Sequence, residues 1–494
     1  MSSVNTGRMI KHSSIYATGN IIRQLVGFIM LPIYTRYLSP ADYGVIGLLI
    51  FSLSLVDILF GARLSQAIPK FYHAEKDALK RKAIISSALI LTSAISLITM
   101  CFILLNSESS SSLVFGNNEY GLIISIYSIL ILTQAIENYG LLYIRIKQKP
   151  YFFLILNVSK LVVQLSCNVW FLIYLDMGVL GIAISAAITS VILSSFLLIY
   201  TFYHTQIRWN NLIAKKLFIF SWPLWIAGFA GLYIGSANRY YMRIFGSLDD
   251  IGLYELAAKF SSIIIFLIWK PINQYWQTEK YRYYEKDKPA PEIYRTVFLS
   301  ISTIIIISGL GIAIFSEPMI MIMATESYYD SIQIVPILVL ASILFCFTQY
   351  FNFSQMVTDN TKWISANNYI TAVIATVMFL IFIPYYGHVG AALASLVTIL
   401  FQLILTVNAS KRHYDMMIEF KPIIYMLLIS TISYYFSNIL FANDSLLISL
   451  LVKGIVYIIA SCTILWIMWF FSKNKEYILS IIHSIKIKLN LVRI

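Results

Sequence analysis

Fourteen runs of about 20 mostly apolar residues fill this chain, and each is long enough to cross the hydrocarbon core of a bilayer as a helix. They lie at 15–34, 43–66, 83–105, 120–144, 152–175, 178–203, 217–237, 252–269, 294–315, 331–353, 363–383, 388–409, 422–441 and 446–471. The runs lack period-two alternation and are twice as long as a barrel strand requires, so they read as helices. Only 12% of the 494 residues are charged, against about 25% in soluble domains, too few to cover a soluble surface. An all-α, polytopic membrane protein follows. The first run is preceded by Arg8 and Lys11 but followed by no small-residue cleavage site, and it reads as a retained helix, not a signal peptide.

Charge placement orients these spans. With an even number, both termini share one side, and that side carries 28 of the 36 Lys and Arg residues, counting Arg295 at the edge of the ninth span with its loop. The opposite side carries three, Arg36, Arg239 and Arg243, and five lie within spans, while acidic residues divide evenly. A bias in Lys and Arg without one in Asp and Glu is the positive-inside pattern, which puts both termini in the cytoplasm. The net charge of +13 is thereby explained as orientation and attraction to an anionic inner leaflet, and nucleic acid is not expected as a partner. The loops are too short to hold a soluble domain.

A short pattern occurs twice. After the first span the chain reads Arg36-Tyr37-Leu38-Ser39-Pro40-Ala41-Asp42-Tyr43-Gly44, and after the seventh it reads Arg243-Ile244-Phe245-Gly246-Ser247-Leu248-Asp249-Asp250-Ile251-Gly252. Arg to Asp is six residues in both, with Asp249 matched to Asp42, whereas Arg to Gly is eight in one and nine in the other. Ser, Pro, Asp and Gly at these points break one helix and cap the next. The spacing predicts a parallel repeat of two six-helix bundles, residues 1–210 and 211–412, followed by two additional helices and a cytoplasmic tail over 413–494. Repeats of this kind place a binding site at their interface in secondary transporters.

An ionisable side chain at mid-bilayer costs at least ~2.5–3.5 kcal/mol on insertion scales, so each embedded charge calls for a reason. Arg23 sits near the centre of the first span beside Asn20, Gln24 and Gly27 on one helical face. The second span carries Asp57, with Arg63 toward its end, and the fourth carries Glu137. Asn157, Lys160, Gln164 and Asn168 form a stripe on the fifth. Arg239 ends the seventh, Glu255 and Lys259 lie four apart on the eighth, and Asn352 and Asn368 belong to uncharged polar stripes on later spans. Glu255 and Lys259 have the spacing of an intrahelical pair, which competes with a functional role. Asp57 and Glu137 read either as counter-ions to Arg23 or Lys160 or as proton or cation sites. Lys453, seven residues into the last span, is placed to snorkel. Gly228, Gly231 and Gly235 read as close helix packing. The third, sixth, ninth and thirteenth spans are far more apolar and read as lipid-facing.

Several classes of chemistry lack their signatures. No glycine-rich phosphate loop follows a strand, which excludes ATP-driven transport by this chain. Cys101, Cys167, Cys346 and Cys462 have no pair spacing, and the six histidines lack ligand spacing, so neither a disulfide framework nor a metal or other cofactor is expected. The embedded charges are five basic and three acidic, a balance that suits an anionic substrate such as a phosphate.

The fourteen helices, the Arg36–Gly44 turn, the basic Pro69–Lys82 segment and the two six-helix halves together resemble the Wzx-type flippases of lipid-linked O-antigen and capsular repeat units. These belong to the multidrug/oligosaccharidyl-lipid/polysaccharide exporter superfamily, with the peptidoglycan-precursor flippases and the MATE drug exporters. The resemblance implies two bundles in a V-shaped arrangement in the bacterial inner membrane. It implies an undecaprenyl-pyrophosphate-linked oligosaccharide as substrate, moved to the outer leaflet by alternating access coupled to an H+ or Na+ gradient. Polysaccharide polymerase and chain-length proteins are the partners it suggests, and no enzymatic activity is expected. Arg23 and Arg63 fall at the places of the family's substrate-binding basic residues in the first half, with Lys160 beside them, and Arg239 and Lys259 in the second. Lys259, with Glu255 four residues before it, departs from the family pattern. Asp57, Glu137 and Glu255 would then serve ion coupling or act as counter-ions, and Asn20, Gln24, Gln164, Asn168, Asn352 and Asn368 would line the cavity. The alternative is a MATE-like cation-coupled drug or solute exporter, which would favour an acidic or aromatic cavity.

Overall fold

A computed structural model describes residues 24–60, 64–286, 291–439 and 446–472, together with Gly19 and Ile22. Among these residues there are helices and connecting turns but no strand. Eleven helices are long and apolar enough to cross a membrane. In hydrocarbon every backbone N–H and C=O needs an internal partner, which a helix supplies within its own segment. The chain is therefore an all-α, multi-pass membrane protein.

In chain order the helices are α1 (Leu31–Tyr37), α2 (Pro40–Phe60), α3 (Ala67–Ala74), α4 (Ala78–Leu105), α5 (Ser107–Phe115), α6 (Gly121–Ile146), α7 (Pro150–Val169), α8 (Gly178–Thr205) and α9 (Asn211–Ser236). They continue with α10 (Asn238–Phe245), α11 (Leu248–Ile263), α12 (Lys270–Lys286), α13 (Pro291–Met323), α14 (Val335–Phe351), α15 (Phe353–Val357), α16 (Lys362–His413), α17 (Lys421–Ile439) and α18 (Leu446–Phe471). The run expected at 15–34 is described from residue 24 on, together with Gly19 and Ile22, and is helical there apart from a turn at Met30. Helix α16 covers two expected spans, divided at Gly387, whose φ of 51° is open to glycine and strained for other residues. Its arms run antiparallel, since Gln402 Nε2 donates to Asn368 Oδ1 at 3.0 Å across 34 residues. In a straight helix those residues would stand about 50 Å apart.

The chain divides into two compact units, one taking it up to Leu256 with Ala372–Ser395, the other taking Ala257–Thr371 and everything from Leu396. In the first unit a buried core of Leu64, Ile68, Ile85, Leu89, Ile136 and Leu142 joins α3, α4 and α6. The repeated turns also lie here. Asp42 N–H donates to Ser39 Oγ at 3.1 Å while Ser39 N–H donates to Asp42 Oδ2 at 3.0 Å, a capping box that starts α2. Ser247 and Asp250 repeat it at the start of α11, at 3.0 and 3.1 Å. The structural counterpart of Asp42 is thus Asp250, not Asp249, which corrects the register read from the arginine spacing. It also removes the mismatch in the glycine spacing, because Ser39 to Gly44 and Ser247 to Gly252 are equally long.

Those two glycines form a reciprocal contact. A Cβ on Gly44 would stand 2.0 Å from the Leu248 carbonyl oxygen, and one on Gly252 would stand 1.9 Å from that of Pro40. Helices α2 and α11 therefore cross backbone to backbone at their first turns, with matched residues of the repeat on either side. Asp250 extends the junction by accepting from the backbone N–H of His388 at 3.1 Å and pairing with its Nδ1 at 2.7 Å. Arg243 donates to the carbonyls of Ser112 and Leu113 at 2.8 and 3.3 Å, closing the C-terminus of α5 where Gly116 adopts a φ of 86°. The connection expected at 106–119 is thus a short helix held by a guanidinium.

The second unit is organised around α13. Its aromatic cluster of Trp276, Tyr294, Phe298, Tyr350 and Phe353 packs in edge and stacked pairs, with centroids between 5.0 and 6.2 Å apart. Lys280, beyond the membrane-spanning part of its helix, is buried beside Phe353, and burial pushes its pKa down to about 8. Helix α13 continues through Pro318 to Met323, which places Glu317 within a helix. Lys453 of α18 is 3% exposed and pairs with Glu317, so it is anchored to α13 and does not snorkel. Tyr457 packs on Phe315 from the same face, which fastens the additional helices to α13.

Gly44→Ala or Gly252→Ala inserts a methyl group into a carbonyl contact with no flexible side chain to yield, and each should cost at least about 1–3 kcal/mol. A Cβ at Gly235 would meet nothing within 4 Å, and Gly235→Ala serves as the control. Thermal unfolding of the detergent-purified variants should show the double variant losing less than the sum, because one separation of α2 from α11 relieves both clashes. Unchanged stability in both single variants would contradict the crossing.

Candidate functional site

Lys160 occupies the middle of α7, and its polar stripe results from spacings of three and four residues along one helical face. Glu137 stands opposite on α6 and Ser190 on α8. Lys160 Nζ donates to Glu137 Oε1 at 2.8 Å, to Oε2 at 2.6 Å and to Ser190 Oγ at 3.0 Å. Both charged side chains are largely withdrawn, at 19% exposure for Lys160 and 9% for Glu137. The pair forms one wall of a cavity of 310 Å³ lined also by Gln134, Asn138, Asn157 and Gln164, with Leu141 and Leu161 as its apolar surface. This is a polar chamber at mid-helix depth with one cation, one carboxylate and four amides. A larger cavity of 670 Å³ between α2, α4, α5 and α6 is walled by hydrocarbon, including Leu49, Val56, Ile98, Phe102 and Leu113.

The second embedded pair joins α10 to α11. Arg239 Nε donates to Glu255 Oε1, and its Nη1 donates to the Gly235 carbonyl and to Asn238 Oδ1, both at 3.2 Å. The guanidinium carbon lies 5.5 Å from the Tyr254 ring centroid. Glu255 in turn lies across Gly47, where a Cβ would come within 2.7 Å of its Cγ. The partner of Glu255 is therefore Arg239, sixteen residues before it, in place of the helical neighbour Lys259. Lys259 belongs to the second unit, where its backbone carbonyl accepts from Ser262 Oγ.

The remaining expected residues disperse. Asn20, Arg23 and Arg63 lie outside the described residues. Gln24 is half-buried on the first span. Asp57 shares a narrow crevice with Ser96 and Gln134, directly behind the polar chamber. Gln164 lines that chamber, whereas Asn168 is 3% exposed and donates to the Tyr34 hydroxyl at 2.7 Å, packing α7 against the first span. Asn352 lies at the break between α14 and α15, and Asn368 is engaged by Gln402. Gly231 and Gly235 do not mediate close packing, since a Cβ at either would meet nothing within 4 Å. Sequence reasoning missed Ser190, which is one of several Ser and Thr residues on α8, and missed Glu317 as the partner of Lys453. Among the described residues no group of three His, Cys, Asp or Glu gathers to hold a metal, and the four cysteines are unpaired.

Residues 9–276 match the family model described as polysaccharide biosynthesis protein. No curated protein matches the chain in sequence. Among solved structures, the lipid II flippase MurJ in an inward closed conformation aligns with a TM-score of 0.73 at 15% identity, covering 90% of this chain and 97% of that one. An inward-facing multidrug resistance MATE family transporter of the MOP superfamily aligns with a TM-score of 0.61 at 15% identity, over 80% and 97%. A MOP superfamily transporter from Pyrococcus furiosus, described by the reversed polarity of its binding pocket, gives 0.52 at 13% identity, over 82% and 94%. These likenesses establish the fold.

Arg239→Met leaves the Glu255 carboxylate without its cation, and breaking a buried pair on one side costs about 3–5 kcal/mol. The double variant Arg239→Met/Glu255→Met removes both charges and should recover most of the loss in thermal unfolding. Losses that simply add would show that the two residues do not act as a pair.

Proposed function

The chain belongs to the polysaccharide biosynthesis protein family, and from that premise we propose that it is a flippase for undecaprenyl-pyrophosphate-linked oligosaccharide, an O-antigen or related polysaccharide repeat unit. The observation that carries this reading is the polar chamber around Lys160, an ammonium held at mid-membrane depth among amides. Arginine and lysine suit phosphate oxygens in low dielectric, and the Asn and Gln side chains suit sugar hydroxyls. The lipid II flippase whose fold this chain shares carries a lipid-linked substrate in its name, which agrees in kind.

In this reading the pyrophosphate docks from the cytoplasmic leaflet of the inner membrane on Lys160 and on Arg23 and Arg63, with Arg239 and Lys259 contributing from the second repeat. The residues at 1–210 and 211–412 act as the two alternating halves, the chain from 413 on is an appendage, and both termini are cytoplasmic. An H+ or Na+ gradient drives the cycle, Asp57, Glu137 and Glu255 are its candidate carboxylates, and polymerase and chain-length proteins take over the product. The protein moves its substrate without cofactors and without changing it covalently.

A MATE-like exporter of cationic solutes is the second reading, favoured by the shared fold with the multidrug transporter. The basic excess among the charges within the spans read from the sequence, five to three, counts against it. Deleting the gene in its host should abolish the polymer ladder of surface polysaccharide on a gel, with lipid-linked single units accumulating on the inner leaflet. Wild type should restore the ladder, and Arg23→Ala should not, although it reaches the membrane. An intact ladder with altered drug sensitivity would favour the exporter.

A further inference from the structure

The contacts of Lys160 saturate it. An ammonium has three N–H donors, and the two Glu137 oxygens and Ser190 Oγ supply three acceptors at 2.8, 2.6 and 3.0 Å. Among the described residues the rest of the chamber wall carries no other cation, only the amides of Gln134, Asn138, Asn157 and Gln164 and two leucines. Among these residues an anion entering the chamber finds one positive charge, and that charge is already claimed. No other cation among the described lining residues is placed to receive the carboxylate that claims it. Helix α7 bears no charged residue besides Lys160, and α8 bears only His204, in its last turn. Helix α4 has Lys80, Arg81 and Lys82 in its first turn and none beyond. From α2 the facing group is Asp57, itself acidic, in the crevice behind Gln134.

We infer that Lys160 and Glu137 form an exchange site, in which the diphosphate of the substrate takes Lys160 from Glu137 and the released carboxylate takes up one proton from water. This rests on the reading of the substrate as a diphosphate-linked lipid. The physical reason is that a carboxylate stripped of its counter-ion in low dielectric, with a diphosphate nearby, is costlier than the neutral acid. The neutral carboxyl keeps a donor for Ser190 or an amide of the chamber. With Glu137 neutralised by the proton, the ammonium offsets one negative charge of the bound diphosphate, which lowers the charge that must cross the bilayer. When substrate leaves, Glu137 returns to Lys160 and gives up the proton, so this proton travels with the substrate and the driving ion gradient acts at another carboxylate.

The test uses the full-length protein in nanodiscs with farnesyl diphosphate as probe, titrated by calorimetry in two buffers of different ionisation enthalpy to count protons. Wild type should take up close to one proton more per ligand than Glu137→Gln, and the ligand's own titration cancels in that difference. The Gln variant should bind more tightly than wild type, by a ratio that grows about tenfold per pH unit as pH is raised through neutrality, as one linked proton requires. Lys160→Met should lose binding. Equal proton counts in wild type and Glu137→Gln, or binding unaffected by Lys160→Met, would overturn the exchange. If Glu137→Gln fails to fold, Ser190→Ala keeps the ion pair but loosens it. That variant should bind the probe more tightly with its proton uptake intact, and unchanged affinity would overturn the proposal. Transbilayer movement is scored separately in liposomes. A protein that takes up the proton but moves no lipid-linked oligosaccharide keeps the exchange and loses the flippase, and one that moves it without a proton difference does the reverse.

Discussion

A bare charge in hydrocarbon is the cost around which this molecule is built. Three ion pairs among the described residues meet that cost, Lys160 with Glu137, Arg239 with Glu255, and Lys453 with Glu317, and each joins different helices. Because breaking a buried pair is costlier than never forming it, the pairs fix which helices neighbour one another. They differ in what lies beside them. Lys453 and Glu317 fasten α18 to α13, and Arg239 and Glu255 lie against the glycine crossing of α2 with α11. Of the three pairs, Lys160 and Glu137 are the one that borders the polar chamber.

The glycine crossing is the geometric counterpart of the charge pairing. Two capping boxes of the same form start α2 and α11, and equivalent glycines let the two first turns meet through their carbonyls. The contact is reciprocal between the residues that the two turns have in common.

Much of the fold was legible because hydrocarbon imposes a length on helices. The span limits agree within a few residues at most described ends, although α13 runs on past 315 to Met323, and the two arms of α16 were read as separate spans. The capping residues were also legible, but the register between the repeats was not, because the arginine that anchored it is displaced by one position relative to the Ser-x-x-Asp box that makes the hydrogen bonds. Partners were the least legible. Glu255 and Lys259 look like a pair along one helix, yet the guanidinium of Arg239 reaches Glu255 from α10. Ser190 is one of several hydroxyls on an uncharged stretch of helix and carries no signal until α7 places an ammonium opposite it. Asn168 looked like the continuation of a cavity stripe, but the stripe turns with the helix and presents its last member to Tyr34.

Purified protein reconstituted into liposomes with a fluorescent lipid-linked oligosaccharide tests the central claim directly. The label begins in both leaflets, and an added glycosidase reaches only the outer one. With the protein present, cleavage should run past the outer-leaflet share toward completion, and Lys160→Met should confine it to that share. Cleavage that stops at the outer-leaflet share with the folded wild-type protein, under an imposed H+ or Na+ gradient, would contradict the account.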